Sequence, residues 1–334
     1  MLTKNTMLIR NRQTKGFSLV ELLVAMVVGL VIISGAFSMH GHSRKAQIKS
    51  EEQMDMVADA RFAIEMIAYD LRHAGMWGGT NKDGLINCKS LGVGAAGAPC
   101  TASTAGEAVP TPIAGDCESH WYYDLSRPVL GVASAATGVY TPCINSRRTG
   151  TDMLTVRYAD SNRPAGLVAG QAYVRSNIVN GRVFVGATQP ELESYDSNPL
   201  TANYELRAHL YYVSTYADAV GDGIPSLRRA ALVNGPSVED QLLIPGVHDF
   251  QVAFGEDVDG DDVIDRYSSP QDVTDWAKIY SAKIWLVMRT DNKQIGITTT
   301  KSFTIDGVAT SYGSDGHLYF MVSSVVNMRN LRQL

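Results

Sequence analysis

Three sets of side chains in this 334-residue chain have the types and spacing for chemistry. The densest is Gly255-Glu256-Asp257-Val258-Asp259-Gly260-Asp261-Asp262-Val263-Ile264-Asp265. Asp257, Asp259 and Asp261 take the first, third and fifth places of a calcium loop, and Asp265 the ninth. Hard carboxylate oxygens at alternate positions can wrap a Ca²⁺ ion, and Gly260 relaxes the turn. The sixth place is Asp262 rather than glycine, the twelfth is Ser268 rather than glutamate, and no helical pattern flanks the loop. An EF-hand is therefore not expected. Two readings stay open: a looser Asp-x-Asp-x-Asp calcium site between strands, and a solvated acidic turn, since Asp and Gly favour turns for backbone reasons alone.

The second set is Cys88, Cys100, Cys117 and Cys143, all within a 56-residue window. An even cysteine count in an exported domain points to disulfides, and four cysteines allow three pairings. Cys88–Cys100 with Cys117–Cys143 is preferred because it closes two local loops. Cys117-Glu118-Ser119-His120 has ligand-like spacing for a metal, but there is no CxxC pair.

The third set is a single carboxylate, Glu21, inside an apolar run. Phe17 to Met39 is almost wholly apolar and long enough to span a bilayer as a helix. A carboxylate at the centre of such a helix costs roughly 2.5–3.5 kcal/mol on insertion scales. No Lys or Arg lies between Phe17 and Met39 to pair with it. Cleavage after Gly16 would place a new α-amino group at Phe17, about one helical turn away. Hydration or protonation near the interface is the alternative.

Basic residues on one flank set the orientation of this span. Lys4, Arg10, Arg12 and Lys15 precede it, with no acid among residues 1–16. The positive-inside rule puts those residues in the cytoplasm and everything after Met39 across the membrane. A secretory signal peptide would have a shorter apolar core followed by a small-x-small cleavage site. Here Ser34, Gly35 and Ala36 lie inside the apolar stretch.

The helical pattern then continues to about Ala74, with Val57, Ala60, Ile64, Ile67, Leu71 and Ala74 at three- and four-residue spacing. Ala58, Phe62, Met66 and Tyr69 widen the apolar face, and the charged residues, Asp70 included, mostly fall elsewhere on the wheel. Gly75 is the expected stop. One helix of about 55 residues is predicted, apolar all round at first and amphipathic later, its second half lying on a sheet. Gly41 is the likeliest break if there are two helices.

Residues 76–150 are expected to be loop-rich, with Gly92–Pro99 and Thr101–Gly115 lacking periodicity. From Thr151 the pattern is β, alternating at Leu154/Val156/Tyr158, Leu206/Ala208/Leu210/Tyr212, Ile284/Leu286/Met288 and Leu318/Phe320/Val322. Asn180-Gly181, Gly221-Asp222-Gly223 and Asp306-Gly307 mark turns. One leading helix followed by many short strands argues an α+β fold with a mostly antiparallel sheet. The segments are 1–16, a leader; 17–39, the membrane part of the helix; 40–75, its amphipathic part; 76–150, the cysteine-bearing region; and 151–334, a β-rich globular domain.

A net charge of −5 and the lack of a basic stripe outside the leader argue against nucleic-acid binding. No HExxH, GxSxG or phosphate-loop pattern is present and the histidines are scattered, so no enzyme activity is expected.

The junction Lys15-Gly16-Phe17, followed by Glu21, resembles the processing site of type IV prepilins and type II secretion pseudopilins. The resemblance implies that an inner-membrane prepilin peptidase cuts after Gly16 and that Phe17 is N-methylated. It also implies that Glu21 helps align subunits. The C-terminal half resembles the PilW-type minor pilins, through Phe254 to Asp265, Met288-Arg289-Thr290 and Met328-Arg329-Asn330. That resemblance implies a pilin-like fold and a subunit of an inner-membrane complex that primes pilus assembly. Its partners would be other minor pilins, the major pilin and a tip adhesin, and its final location the pilus. A minor pseudopilin of type II secretion shares the leader and helix. A membrane-anchored, calcium-dependent adhesin is the reading from another class.

Overall fold

The computed structural model describes residues 16–87, 113–118, 121–192, 200–294 and 297–332. Lys15, Cys88 and Cys100 lie outside the described residues. The chain divides into two compact units, Met1–Met54 and Asp55–Leu334.

Helix α1 runs unbroken from Leu19 to His73, through Gly41. The single helix expected is what forms, and the alternative break at Gly41 does not occur, since one glycine costs only about 1 kcal/mol. In the first unit this helix is exposed on every side, with Leu22, Val27, Ile32 and Phe37 all more than half accessible. It is long and apolar enough to cross a membrane.

The second unit contains the C-terminal turns of α1 and all the strands. A large sheet is built from β1 (Ile86–Asn87), β2 (Val129–Val132), β3 (Met153–Ala159), β4 (Ala172–Ser176), β5 (Gly181–Val185), β6 (Ala202–Ser214), β7 (Ser226–Val233) and β8 (Ser237–Pro245). β6 joins its parts: residues 202–205 pair with β4, 206–211 with β3 and 209–214 with β7. A second sheet holds β9 (Val247–Glu256), β10 (Arg266–Ser268), β11 (Ile279–Arg289) and β14 (Tyr319–Asn327), in the order β10-β9-β11-β14. The hairpin of β12 (Thr300–Ile305) and β13 (Val308–Gly313) stands apart in pairing. Only β1 with β5 is parallel among these named ladders.

Two main cores lie on opposite faces of the large sheet. On one face Ala60, Ala63, Ile64, Ile67, Ala68 and Leu71 of α1 pack with Leu154, Val156, Tyr211, Phe250 and Ile284. The face of α1 is therefore narrower than the sequence predicts, since Ala58, Phe62 and Tyr69 are exposed and Met66 is only half-buried. On the other face Trp77, Trp121, Tyr122, Tyr123, Leu125, Tyr140 and Ile144 cover Met153, Leu206, Ala208 and Leu210. Much of what the sequence assigns to surface loops is thus a second packing layer. β3 is buried along its whole length. Its alternate residues Thr155 and Arg157 face this layer, where Arg157 donates to the carbonyls of Trp121 (2.5 Å) and Arg127 (2.6 Å).

Helix α1 ends where Gly75 adopts φ +74°, a left-handed conformation that glycine enters without penalty. A side chain there would also strike Leu331. Asn330 Nδ2 donates to the Arg72 carbonyl at 3.0 Å, satisfying one of the helix's terminal acceptors.

Candidate functional site

The N-terminal site begins at Gly16 and Phe17, both exposed and immediately before α1. Ser18 and Glu21 form a reciprocal cap. The Ser18 N–H donates to Glu21 Oε2 at 3.1 Å, and the Glu21 N–H donates to Ser18 Oγ at 3.2 Å. This is a capping box, which satisfies two of the backbone donors that a helix N-terminus leaves open. With the Gly16–Phe17 bond intact, Glu21 therefore has a partner in its own chain. The signal is legible as Ser18-x-x-Glu21, but a cap was not among the roles expected for Glu21, which were an amine partner, hydration at the interface and subunit alignment. The favourable place for an acid in the first turn adds to the cap.

The acidic loop connects β9 to β10 as a hairpin, with Arg266 opposite Glu256. Asp257 is buried and accepts from the Gly260 N–H (2.6 Å) and the Asp262 N–H (3.0 Å). Asp265 Oδ2 accepts from the Val258 N–H at 2.7 Å. Gly260 (φ +85°) provides the reversal. One carboxylate oxygen from each of Asp257, Asp259 and Asp265 lies within 4.8 Å of the others. Asp261 does not belong to that trio; its Oδ1 accepts from the Val263 N–H at 2.9 Å.

The charges are felt within the loop. Asp261 and then Asp265 push the Asp259 carboxyl above its usual range. Burial also acts upward on Asp257, but the N–H groups of Gly260 and Asp262 outweigh it and hold the carboxyl low. An ionised Asp257 beside Asp259 and Asp265 is a donor set suited to a hard divalent cation.

Beneath the loop, Glu256 is wholly buried and accepts from the Thr274 N–H (2.8 Å), the Asp275 N–H (3.0 Å), the Thr274 hydroxyl and Arg266 (3.0 Å). These bonds overcome the upward effect of burial and hold its pKa at about 2. The spacing of the acidic run gave no sign that Glu256 and Asp257 are turned inward while the rest stay exposed.

Cys117 and Cys143 form a disulfide across 26 residues, both buried in the second packing layer. The bond takes the thiolate that a Cys117–His120 metal site would need, so that reading fails; His120 itself lies outside the described residues.

Residues 11–37 match the prokaryotic N-terminal methylation motif, and residues 210–330 match the family described as Type IV Pilus-assembly protein W. Among solved structures the chain is similar to a type IV-like pilin from Thermus thermophilus. Identity is 14% over 56% of this chain and 82% of that one, with a TM-score of 0.29. No curated protein matches. The methylation motif covers the junction before α1, and the family match runs from β6 to the last turn of the chain. The chain is therefore similar to the PilW family over residues 210–330, about a third of its length, and to pilin-type N-terminal methylation motifs over residues 11–37.

Proposed function

We propose that the protein is a minor pilin that helps initiate type IV pilus assembly in an inner-membrane priming complex, without catalysis of its own. The carrying observation is a methylation-motif junction set directly before a helix whose apolar residues are exposed all round. Such a helix gains stability only where lipid or neighbouring helices cover it. In this reading a prepilin peptidase cuts between Gly16 and Phe17 and Phe17 is methylated. The N-terminus starts in the cytoplasm and the β-rich unit in the periplasm. Other minor pilins and the major pilin cover the helix, and the complex ends in the pilus.

Intact mass and N-terminal peptide mass of the membrane-extracted chain, with and without the peptidase, test this reading. The expected product begins at N-methyl-Phe17 and appears only with the peptidase present. A chain still beginning at Met1, or cut after the apolar segment, would remove its basis.

The convergence of Asp257, Asp259 and Asp265 favours calcium as a ligand of the β9–β10 loop. Saturable Ca²⁺ binding by calorimetry, lost in Asp257→Asn and unaffected in Asp272→Asn, is the expected result. Equal heats for both variants and the parent would leave the loop as an acidic turn.

A further inference from the structure

The ends of β9 and β11 bring together two guanidiniums and an imidazole, with Asp249 and Asp315 acting on them only through space. Val247 pairs with Met288, and the Arg289 N–H donates to the Gly246 carbonyl at 2.8 Å, so His248 and Arg289 emerge side by side. The Arg148 N–H donates to the Val213 carbonyl at 2.8 Å, anchoring Arg148 at the end of β6. Arg148 Nη2 lies 2.9 Å from His248 Nε2. A guanidinium has donors only, so Nε2 accepts and the ring proton sits on Nδ1. That Nδ1 is buried without an acceptor, and so is Arg289 Nε. Arg289 Nη2 donates to the Gly223 carbonyl, and the Arg289 side chain also hydrogen-bonds the Tyr319 side chain. Neither arginine forms an ion pair among the described residues.

The nearby acids direct their hydrogen bonds elsewhere, while their charges still reach Arg148 and His248. Asp249 accepts from the Tyr312 hydroxyl (2.5 Å) and Gln251 (2.8 Å). Asp315 accepts from the Tyr319 hydroxyl (2.7 Å) and the His317 N–H (3.1 Å). The rings of Tyr312 and Tyr319 stand edge-on to His248, with centroids 5.8 and 5.1 Å away. Burial, followed by repulsion from Arg289, lowers the Arg148 pKa. Burial, followed by the charges of Arg148 and Arg289, brings His248 down to about 3, so the ring is neutral at pH 7. Both arginines are partly buried, and the Arg289 Nη2 end lies at the exposed surface.

We propose that Arg148 and Arg289, with the neutral His248 between them, form a receptor for an oxyanion, a carboxylate or a phosphate. Charge-assisted bonds from two guanidiniums are the strong kind and suit the paired oxygens of either group. Bound negative charge would also relieve the repulsion between the two arginines. The oxyanion comes either from solution or from an acidic side chain of a docking protein, and the chemistry of recognition is the same.

The test uses the full chain in neutral detergent micelles at pH 7 and constant ionic strength. Inorganic phosphate replaces chloride in one arm, and a blocked Glu-Glu dipeptide replaces it in the other. Melting temperature and the ring signals of labelled His248 are followed. Expected are a saturable rise in melting temperature and a saturable change in the His248 ring signals, since an anion held by the flanking guanidiniums changes the field at the ring. Arg148→Gln should weaken the effective anion about tenfold or more, while melting no lower than the parent in chloride. Arg148→Lys keeps the charge but loses the fork, and should bind with intermediate strength. That second variant keeps the test open if Arg148→Gln does not fold. A response to phosphate alone assigns the site to free oxyanions, and a response to the dipeptide, with or without phosphate, to an acidic side chain. No response beyond chloride in both arms, or an unchanged response in both variants, overturns the proposal.

Discussion

Asp70 shows how one residue can decide the register of a helix on a sheet. It is a charged residue on a helix face that otherwise carries Ile67 and Leu71, and it is 3% exposed. Its Oδ1 accepts from the Tyr158 hydroxyl at 2.7 Å, and its Oδ2 from the Tyr211 hydroxyl at 2.6 Å and His209 Nδ1 at 2.5 Å. Burial pushes its pKa up, but His209, Tyr211 and Tyr158 together outweigh this and leave it below the ordinary 3.8. A depressed carboxylate contributes stability that is fully present above the unfolded value. That stability is lost as pH falls through 3.8 towards the folded value. Asp70→Asn keeps the shape, removes the charge and turns an amide donor towards a hydroxyl. It should cost about 3 kcal/mol at pH 7, the order for breaking a buried pair. It should also flatten the acid limb of the stability–pH curve. Urea unfolding of the detergent-solubilised chain at pH 7 and at pH 3 measures both; an unchanged acid limb would show that other acids carry it. Periodicity placed Asp70 on the wet side because a charge on a helix usually belongs there. Its three partners sit on strands far along the chain, and no local pattern announces them.

At the scale of the element, α1 was the most legible part of the molecule. Its length, its apolar start and its stop at Gly75 all follow from local pattern, and the strands around Val156, Leu210, Leu286 and Val322 followed from alternation. The capping box adds a consequence for Glu21 that separates two roles. As a cap, its side chain needs only an oxygen that can accept from the Ser18 N–H. As a partner for a neighbour's amine, it needs its charge. Glu21→Gln keeps the first and loses the second, because glutamine also serves at this place in a capping box. Glu21→Ala loses both, and loss of the cap costs about 1 kcal/mol of helix stability. The expected outcome is that Glu21→Gln is processed and folds like the parent yet is poorly recovered in purified pili. Glu21→Ala should match that defect and add fraying at residues 18–22, seen by amide exchange. Full recovery of Glu21→Gln in pili would show that capping, not charge, is what position 21 supplies.

At the scale of the whole β-rich unit, the layering was the hardest thing to foresee. Thr155 and Arg157 alternate with apolar neighbours, and a period-two pattern sends such residues to solvent. They are buried instead, because a segment with little periodicity of its own folds over that face and brings Trp121, Tyr122 and Tyr123 with it. Arg157 tolerates this by donating to two carbonyls and lying over the Trp121 ring at 5.7 Å. The covering segment has few regular backbone ladders, so the Cys117–Cys143 bond is its main covalent constraint among the described residues. Closing a loop of 26 residues is worth about 3 kcal/mol in the chain-entropy account. Paired substitution, Cys117→Ser with Cys143→Ser, should therefore lower the melting temperature by roughly 5 °C for a unit of this size. The loss should be uneven. The near-ultraviolet signal of the Trp121–Tyr123 layer should weaken first on warming, while the helical far-ultraviolet signal, held by Ala60, Ile64 and Ile67 against the opposite face, persists. Two separated transitions would mean that the covering layer is a cooperative unit of its own, which the disulfide fastens to the sheet. A single lowered transition, with both signals lost together, would mean that the two faces of β3 and β6 couple the layers through the strands they share.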